Sequence, residues 1–279
     1  MSGDRRLEGK VALITGAARG QGRAHAVRLA QAGASIVAID IVAAVESVPY
    51  ALATPDDLAH TEKLVADLGR PIQVVQADVR DQGALDAAVS AAVAEFGRMD
   101  VVVANAGVIS YGYTWELSEQ QWQDVVDINL TGVFHTVKAT VPAMIEAGNG
   151  GAIILTSSVL GFRGTTGASS YVATKHGVVG LTKSLANELG PHRIRVNSVN
   201  PSNVDTQMVL NPVTLGLFRP DLDAPTTDDV RDIMSAMHPM QIPWVESVDV
   251  SNAVLFLASD DARFITGVSL PVDAGLLAR

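Results

Sequence analysis

Short apolar runs rich in β-branched residues alternate along the chain with longer stretches whose apolar positions recur at helical spacing. VALIT (11–15), SIVAID (35–40), IQVVQA (72–77), DVVVA (100–104), AIILTS (152–157) and IRVNSV (194–199) have strand length and mostly lack the in-out alternation of a sheet with one wet face. Residues 22–32, 56–68, 82–96, 118–147 and 170–189 read as the intervening helices, and VSLPV (268–272) as a seventh strand. Strands buried on both faces and separated by helices predict an α/β fold: one doubly wound parallel sheet of seven strands covered on both sides.

Two segments break this rhythm. Residues 41–59, IVAAVESVPYALATPDDLA, follow the second strand with neither the period nor the polarity of a routine loop, and Gln207 to Trp244 sets five prolines among apolar residues. Each is expected near the carboxyl ends of strands, where open sheets bind ligands; the first reads as an insertion and the second as a substrate lid. No repeat, low-complexity tract or linker marks a boundary, so the 279 residues are expected to form one domain.

Composition narrows the partners. A net charge of −10 supplies no cluster of Lys and Arg to neutralise phosphates, which disfavours nucleic acid and anionic membranes. There is no cysteine, so disulfides, thiolate metal sites and cysteine nucleophiles are excluded, and the six scattered histidines predict no metal site; His176 beside Lys175 has no second ligand at helical spacing. With a polar N-terminal stretch, MSGDRRLEGK, and no apolar run of membrane-spanning length, a soluble cytoplasmic protein is expected.

TGAARGQG (15–22) lies between the first strand and the first helix and brings Gly16, Gly20 and Gly22 together. Glycines there let backbone N–H groups approach a pyrophosphate at a helix N-terminus, in the Rossmann manner. Asp40 closes the second strand, 18 residues beyond Gly22, where a carboxylate accepts from a ribose and repels a 2′-phosphate, favouring NAD over NADP. Arg19 in the turn is either a phosphate ligand or a solvated or structural cation. Asp78 and Asn105 follow the third and fourth strands at the same edge; Asp78 alone also reads as a helix cap.

Tyr171 and Lys175, four residues apart, share one helix face, and a nearby ammonium favours the tyrosinate, bringing a phenol closer to neutral acid–base work. Ser157 and Ser158 lie at the end of the fifth strand, and pleat alternation sends them to opposite sides.

TGAARGQG, Asp78, NAG (105–107), NLTG (129–132), the Ser158 region, YVATK (171–175) and PSNVDT (201–206) together resemble the short-chain dehydrogenase/reductase family, over almost the whole chain and in order. The resemblance implies hydride transfer between a secondary alcohol carbon and nicotinamide C4, with Ser158 holding the substrate oxygen, Tyr171 exchanging its proton, Lys175 assisting, and Asn129 holding a water that connects Lys175 to solvent. It also implies NAD contacts from Gly16, Arg19, Gly20, Gln21, Gly22, Asp40, Asp78, Val79, Asn105, Ala106, Gly107, Tyr171, Lys175, Pro201, Val204 and Thr206, and a homotetramer. The chain departs from the family at Pro201-Ser202, where Pro-Gly is usual.

PYALATPDDLAHT (49–61), with ADVRD, KHGVVGL, ANELG and VDAG, resembles the mycofactocin-coupled subfamily, which includes carveol dehydrogenase-like enzymes. That implies a hydrophobic alcohol or ketone substrate and a bound NAD that exchanges poorly and is recycled by mycofactocin or another redox carrier. Trp115, Trp122, Trp244, Tyr111, Tyr113, Phe162 and Phe218 are available as apolar pocket walls, although aromatics in a domain of this size also serve the core. A freely exchanging ketone or 3-oxoacyl reductase is the alternative, and a non-catalytic NAD sensor a further one, disfavoured by the presence of Asn129, Ser158, Tyr171 and Lys175 together.

Overall fold

A computed structural model describes residues 5–279; the first four residues of the polar N-terminal stretch lie outside it. The strands are β1 (Val11–Thr15), β2 (Ser35–Asp40), β3 (Ile72–Gln76), β4 (Val101–Ala104), β5 (Gly151–Thr156), β6 (Ile194–Pro201) and β7 (Ser269–Val272). They form the expected single all-parallel sheet of seven strands, and its order is β3-β2-β1-β4-β5-β6-β7. The order reverses between β1 and β4, so the loops leaving their carboxyl ends diverge and open a crevice there.

The helices are α1 (Gly20–Gln31), α2 (Pro55–Ala66), α3 (Gln82–Phe96), α4 (Glu119–Val126), α5 (Gly132–Ala147), α6 (Ser169–Leu189), α7 (Pro212–Phe218), α8 (Thr227–Met237) and α9 (Ser247–Ala258). Successive strand residues feed two cores. Ala12, Ile14, Ile36, Ala38, Val101 and Val103 pack with Ala26 and Leu29 of α1 and Val250 and Val254 of α9. Leu13, Val37, Ile39, Val102, Ile153 and Leu155 pack on the other face with Leu85 and Val89 of α3, Val133 and Val137 of α5, and Val178 and Leu185 of α6. At about 1.5–3 kcal/mol for each fully buried Leu, Ile or Val side chain, both faces must be covered, which is why these strands read as unbroken apolar runs.

The structure departs from the expected elements at two places. The single helix expected over 118–147 is two, α4 and α5, joined by a π-helical turn at Asp127–Thr131. The chain from 207 onward is not merely loop: it forms α7 and α8, and α9 follows. Their starts carry local signals, Asn211 capping α7 and reciprocal capping boxes at Thr226–Asp229 and Glu246–Asp249. Among the described residues no helix is long and apolar enough to cross a membrane.

Candidate active site

The turn after β1 is shaped by close approach. Gly16 takes φ +67°, and a Cβ there would come within 2.9 Å of the Ala106 Cα; a Cβ on Gly22 would lie 1.9 Å from the Gly16 carbonyl oxygen. Only glycine lets the turn fold back on the start of α1. α2, α4, α8 and α9 begin with reciprocal capping boxes, whereas Arg19, at the head of α1, gives no side-chain cap and no acidic residue occupies the first turn. The first N–H groups of α1 thus keep their donors and the positive end of the helix dipole for an anion.

Asp40 at the end of β2 is buried, with one carboxylate oxygen accepting from the Ala18 N–H (3.0 Å) and the other from the Val42 N–H (3.0 Å). Two backbone bonds orient the carboxylate and leave each oxygen further lone-pair capacity toward the crevice. Asn105 ties the ends of β4 and β1 together: its N–H donates to Thr15 Oγ1 (3.0 Å) and its amide to the Thr15 carbonyl (3.1 Å). Asp78 is not a helix cap. Asp81 caps α3, while Asp78 accepts from the Arg80 N–H (2.9 Å) and pairs with the Arg80 guanidinium (2.6 Å).

Ser158, Tyr171 and Lys175 meet on the opposite wall. The buried Ser158 hydroxyl donates to the Pro201 carbonyl (3.4 Å) and accepts from the Leu160 N–H (3.1 Å). Ser157 is turned away, donating to the Lys175 carbonyl (2.9 Å) and so bracing α6. The Lys175 ammonium lies 5.3 Å from the Tyr171 ring centroid and donates to the Thr156 carbonyl (2.8 Å). Burial pushes the Lys175 ammonium down to about 8 and the Tyr171 phenol up to about 12, the latter against the pull of a hydrogen bond with Ser158. The lowered phenol expected from the Tyr-Lys spacing is not found here: desolvation outweighs the bond from Ser158.

One cleft joins these groups. Gly16, Arg19, Gly20, Gln21, Gly22, Asp40, Asp78, Val79, Asn105, Ala106, Gly107, Ser158, Tyr171, Lys175, Pro201, Val204 and Thr206 all line it. Asn129 stands behind the wall, fully buried in the π-helical turn, where its side chain accepts from the Val108 N–H and donates to the Val108 carbonyl, both at 2.8 Å. A sequence profile of the short chain dehydrogenase family matches residues 10–213.

The chain belongs to the short-chain dehydrogenase family. It is 51% identical over 271 residues to a (−)-trans-carveol dehydrogenase of Rhodococcus erythropolis, a match covering 97% of this chain and 98% of that one. It superposes with a TM-score of 0.97 on the crystal structure of carveol dehydrogenase from Mycobacterium avium in complex with NAD, at 55% identity and with both chains fully covered. A 3-oxoacyl acyl-carrier-protein reductase of Staphylococcus aureus is 36% identical over 267 residues, 96% of this chain and 98% of that one.

In this short-chain dehydrogenase, residues 41–54 form a wall of the cleft. Val45 and Val48 are buried in the core beneath it, and Ile41, Val45, Tyr50, Leu52 and Ala53 face the cleft. Polar bonds hold the segment to the loop after β4: the Ile109 N–H donates to the Tyr50 hydroxyl (3.2 Å) and the Ser110 hydroxyl to the Ser47 carbonyl (3.0 Å). The Ser47 hydroxyl donates to Asp124 (2.7 Å), which also pairs with Arg80 (3.0 Å). Burial works against the Asp124 carboxylate, but the bonds from Ser47, Gln120 and Arg80 outweigh it and hold its pKa below the usual range.

The Arg19 guanidinium spans the cleft's edge, donating to the Ala51 carbonyl on one side and to Gln207 Oε1 on the other. The sequence left it between phosphate ligand and structural donor; here it joins the two segments that broke the βα rhythm. The aromatic residues offered as pocket walls do not line the cleft. Trp115 is 79% exposed and stacks on Tyr113 (4.9 Å, 7°), Trp244 packs with Phe218, Val230 and Met234 under the Arg231 guanidinium, and Tyr111 bonds Thr214 (3.1 Å). Ile128, Met208 and Val209, which line it, were not singled out for the site beforehand.

Proposed function

We propose that this protein is an NAD-dependent dehydrogenase that oxidises a hydrophobic secondary alcohol of the carveol-like, cyclic terpenoid class to its ketone, on a cofactor that stays bound between turnovers. The observation that carries this reading is the convergence of Ser158, Tyr171 and Lys175 on one cleft with the uncapped start of α1 and the oriented carboxylate of Asp40. The donor set fits a dinucleotide: free N–H groups at Gly20–Gly22 for a pyrophosphate, Asp40 for the ribose hydroxyls, Asp78 and Val79 beside the adenine, Asn105 to Gly107 along the middle, and Pro201, Val204 and Thr206 toward the nicotinamide amide. The negative charge of Asp40 disfavours a 2′-phosphate. NAD, when bound, supplies the hydride-accepting ring.

The chain's own residues position the substrate and move the proton. Ser158 hydrogen-bonds the substrate oxygen and Tyr171 takes the hydroxyl proton as the hydride leaves carbon. Lys175 stabilises the phenolate as the proton arrives, and a water held at Asn129, whose side chain its two bonds to Val108 orient, would carry the proton from Lys175 to solvent.

Retention of cofactor is supported by the segment at 41–54, which walls the cleft, and by the Arg19 clasp to Ala51 and Gln207 at its edge, which would slow the release of a dinucleotide held beneath them. Mycofactocin is then the redox carrier that recycles it, and exposed Phe134 and Ile145 on α5, with Phe264 after α9, are the surfaces for assembly into a homotetramer.

Mass analysis of the denatured, purified protein should release nicotinamide dinucleotide. The protein should oxidise (−)-trans-carveol with an artificial electron acceptor, but turn over slowly with added NAD. Steady turnover on free NAD at ordinary dehydrogenase rates would replace this reading with the freely exchanging reductase, an alternative the 36% identical 3-oxoacyl reductase keeps in view.

A further inference from the structure

Ser202 stands where the family usually has glycine, on the loop that follows β6 into the cleft, and its side chain is not free. The Ser202 hydroxyl lies 2.9 Å from Nε2 of His238, and the Nδ1 of the same ring lies 3.0 Å from the Met234 carbonyl. A carbonyl can only accept, so Nδ1 carries a proton, and in the neutral ring Nε2 is the acceptor to which the Ser202 hydroxyl donates. His238 is fully buried at the end of α8.

The ring is a fixed post, held from behind by the C-terminal turn. The Met240 N–H donates to the Ala274 carbonyl (3.3 Å), Arg279 donates to the Ala236 carbonyl (2.8 Å), and Gly275, at φ +89°, lies against Pro239, where a Cβ would come within 3.0 Å. On its other side the loop is stitched to the same region, the Val245 N–H donating to the Asn203 carbonyl (2.9 Å) and the Asp205 N–H to the Val245 carbonyl (3.0 Å). The carbonyl just before Ser202, that of Pro201, accepts the Ser158 hydroxyl. A displacement of Ser202 therefore moves the acceptor on which Ser158 rests and the backbone leading to Val204 and Thr206.

We infer that His238 is a positioning residue which, through Ser202, sets the loop 201–206 against the reacting end of the cleft. The inference rests on the reading that the nicotinamide lies beside Tyr171 and this loop.

The test uses full-length protein as wild type, His238→Ala, His238→Gln, Ser202→Gly and the double variant His238→Ala/Ser202→Gly. Single-turnover reduction of bound NAD by (−)-trans-carveol, the emission of bound NADH and the thermal midpoint are measured on each. His238→Ala should slow reduction by about tenfold or more, because small displacements at a reacting centre cost that much, and Ser202→Gly should slow it by a similar factor. The double variant should be no slower than either single one, and His238→Gln, whose amide oxygen can accept from Ser202, should recover much of the rate. A purely structural histidine would lower the thermal midpoint and the rate equally whether Ser202 is intact or replaced, and independent, multiplying losses or an unaffected His238→Ala would overturn the inference. If wild type binds NADH but carveol does not reduce its NAD, the alcohol reading fails on its own. The coupling is then read in NADH emission, which His238→Ala should shift when Ser202 is present and leave unchanged in the Ser202→Gly background; equal shifts in both would again overturn it.

Discussion

The Lys175 ammonium stands 5.3 Å from the centroid of the Tyr171 ring and spends a hydrogen bond on the Thr156 carbonyl at 2.8 Å. The cation is thus anchored to the end of β5 and acts on the phenol through space. Both groups are desolvated, and both shift toward their neutral forms.

That burial has a thermodynamic signature. Lys175 has its folded-state pKa depressed from 10.5 to about 8, so between those values the unfolded chain holds a proton that the folded chain has lost. Stability attributable to this group rises with pH across that window and is lost as pH falls through about 8. Wild type should therefore gain stability relative to Lys175→Met as pH goes from about 8 to about 10.5, by roughly 3 kcal/mol in all. Urea unfolding at several pH values reads the difference, and a pH-independent gap would contradict the assignment.

Tyr171→Phe removes only the hydroxyl. Alcohol oxidation should drop by about 10²- to 10⁴-fold, the range for a lost general acid or base, while bound cofactor and thermal midpoint stay near wild type. Turnover at the wild-type rate would show that another group moves the proton.

Asp40 carries two duties. Asp40→Ala should weaken NAD binding and reduce discrimination against NADP, since the ribose acceptor and the negative charge disappear together. It should also destabilise the fold by about 2 kcal/mol or more, because the N–H groups of Ala18 and Val42 lose their acceptors. Cofactor titrations alongside denaturant unfolding separate the two effects, and unchanged stability would mean that water replaces the carboxylate.

Gln207→Ala takes away one anchor of the Arg19 clasp and leaves the guanidinium charge in place. Release of bound cofactor should quicken by about tenfold, as expected for one lost charge-assisted hydrogen bond. Arg19→Ala should release it faster still, while the single-turnover rate, which depends on Tyr171 and Lys175, is retained. Stopped-flow displacement of NADH measures both, and unaltered release in both variants would remove the clasp from the account of retention.

The parts legible in the sequence are those that depend on neighbours a few residues apart. Apolar runs at β1, β2, β4 and β5 must be buried on both faces, which forces a parallel sheet with helices on each side. Gly16 and Gly22 mark a turn no other residue can make, Asp40 ends its strand beside it, and the four-residue spacing of Tyr171 and Lys175 puts both on the cleft-facing side of α6. Tertiary structure decided the rest. The π-helical turn at Asp127–Thr131 has nearly the hydrophobic period of the α-helices around it, so the shift in hydrogen bonding that brings Asn129 to Val108 left no pattern to read. Arg19 meets Gln207 across 188 residues and Ser202 meets His238 across 36, pairings set by where packed elements bring polar side chains rather than by local propensity. Desolvation is likewise a property of the assembled fold. An ammonium four residues from a phenol predicts a lowered phenol pKa; the packed wall around Tyr171 raises it.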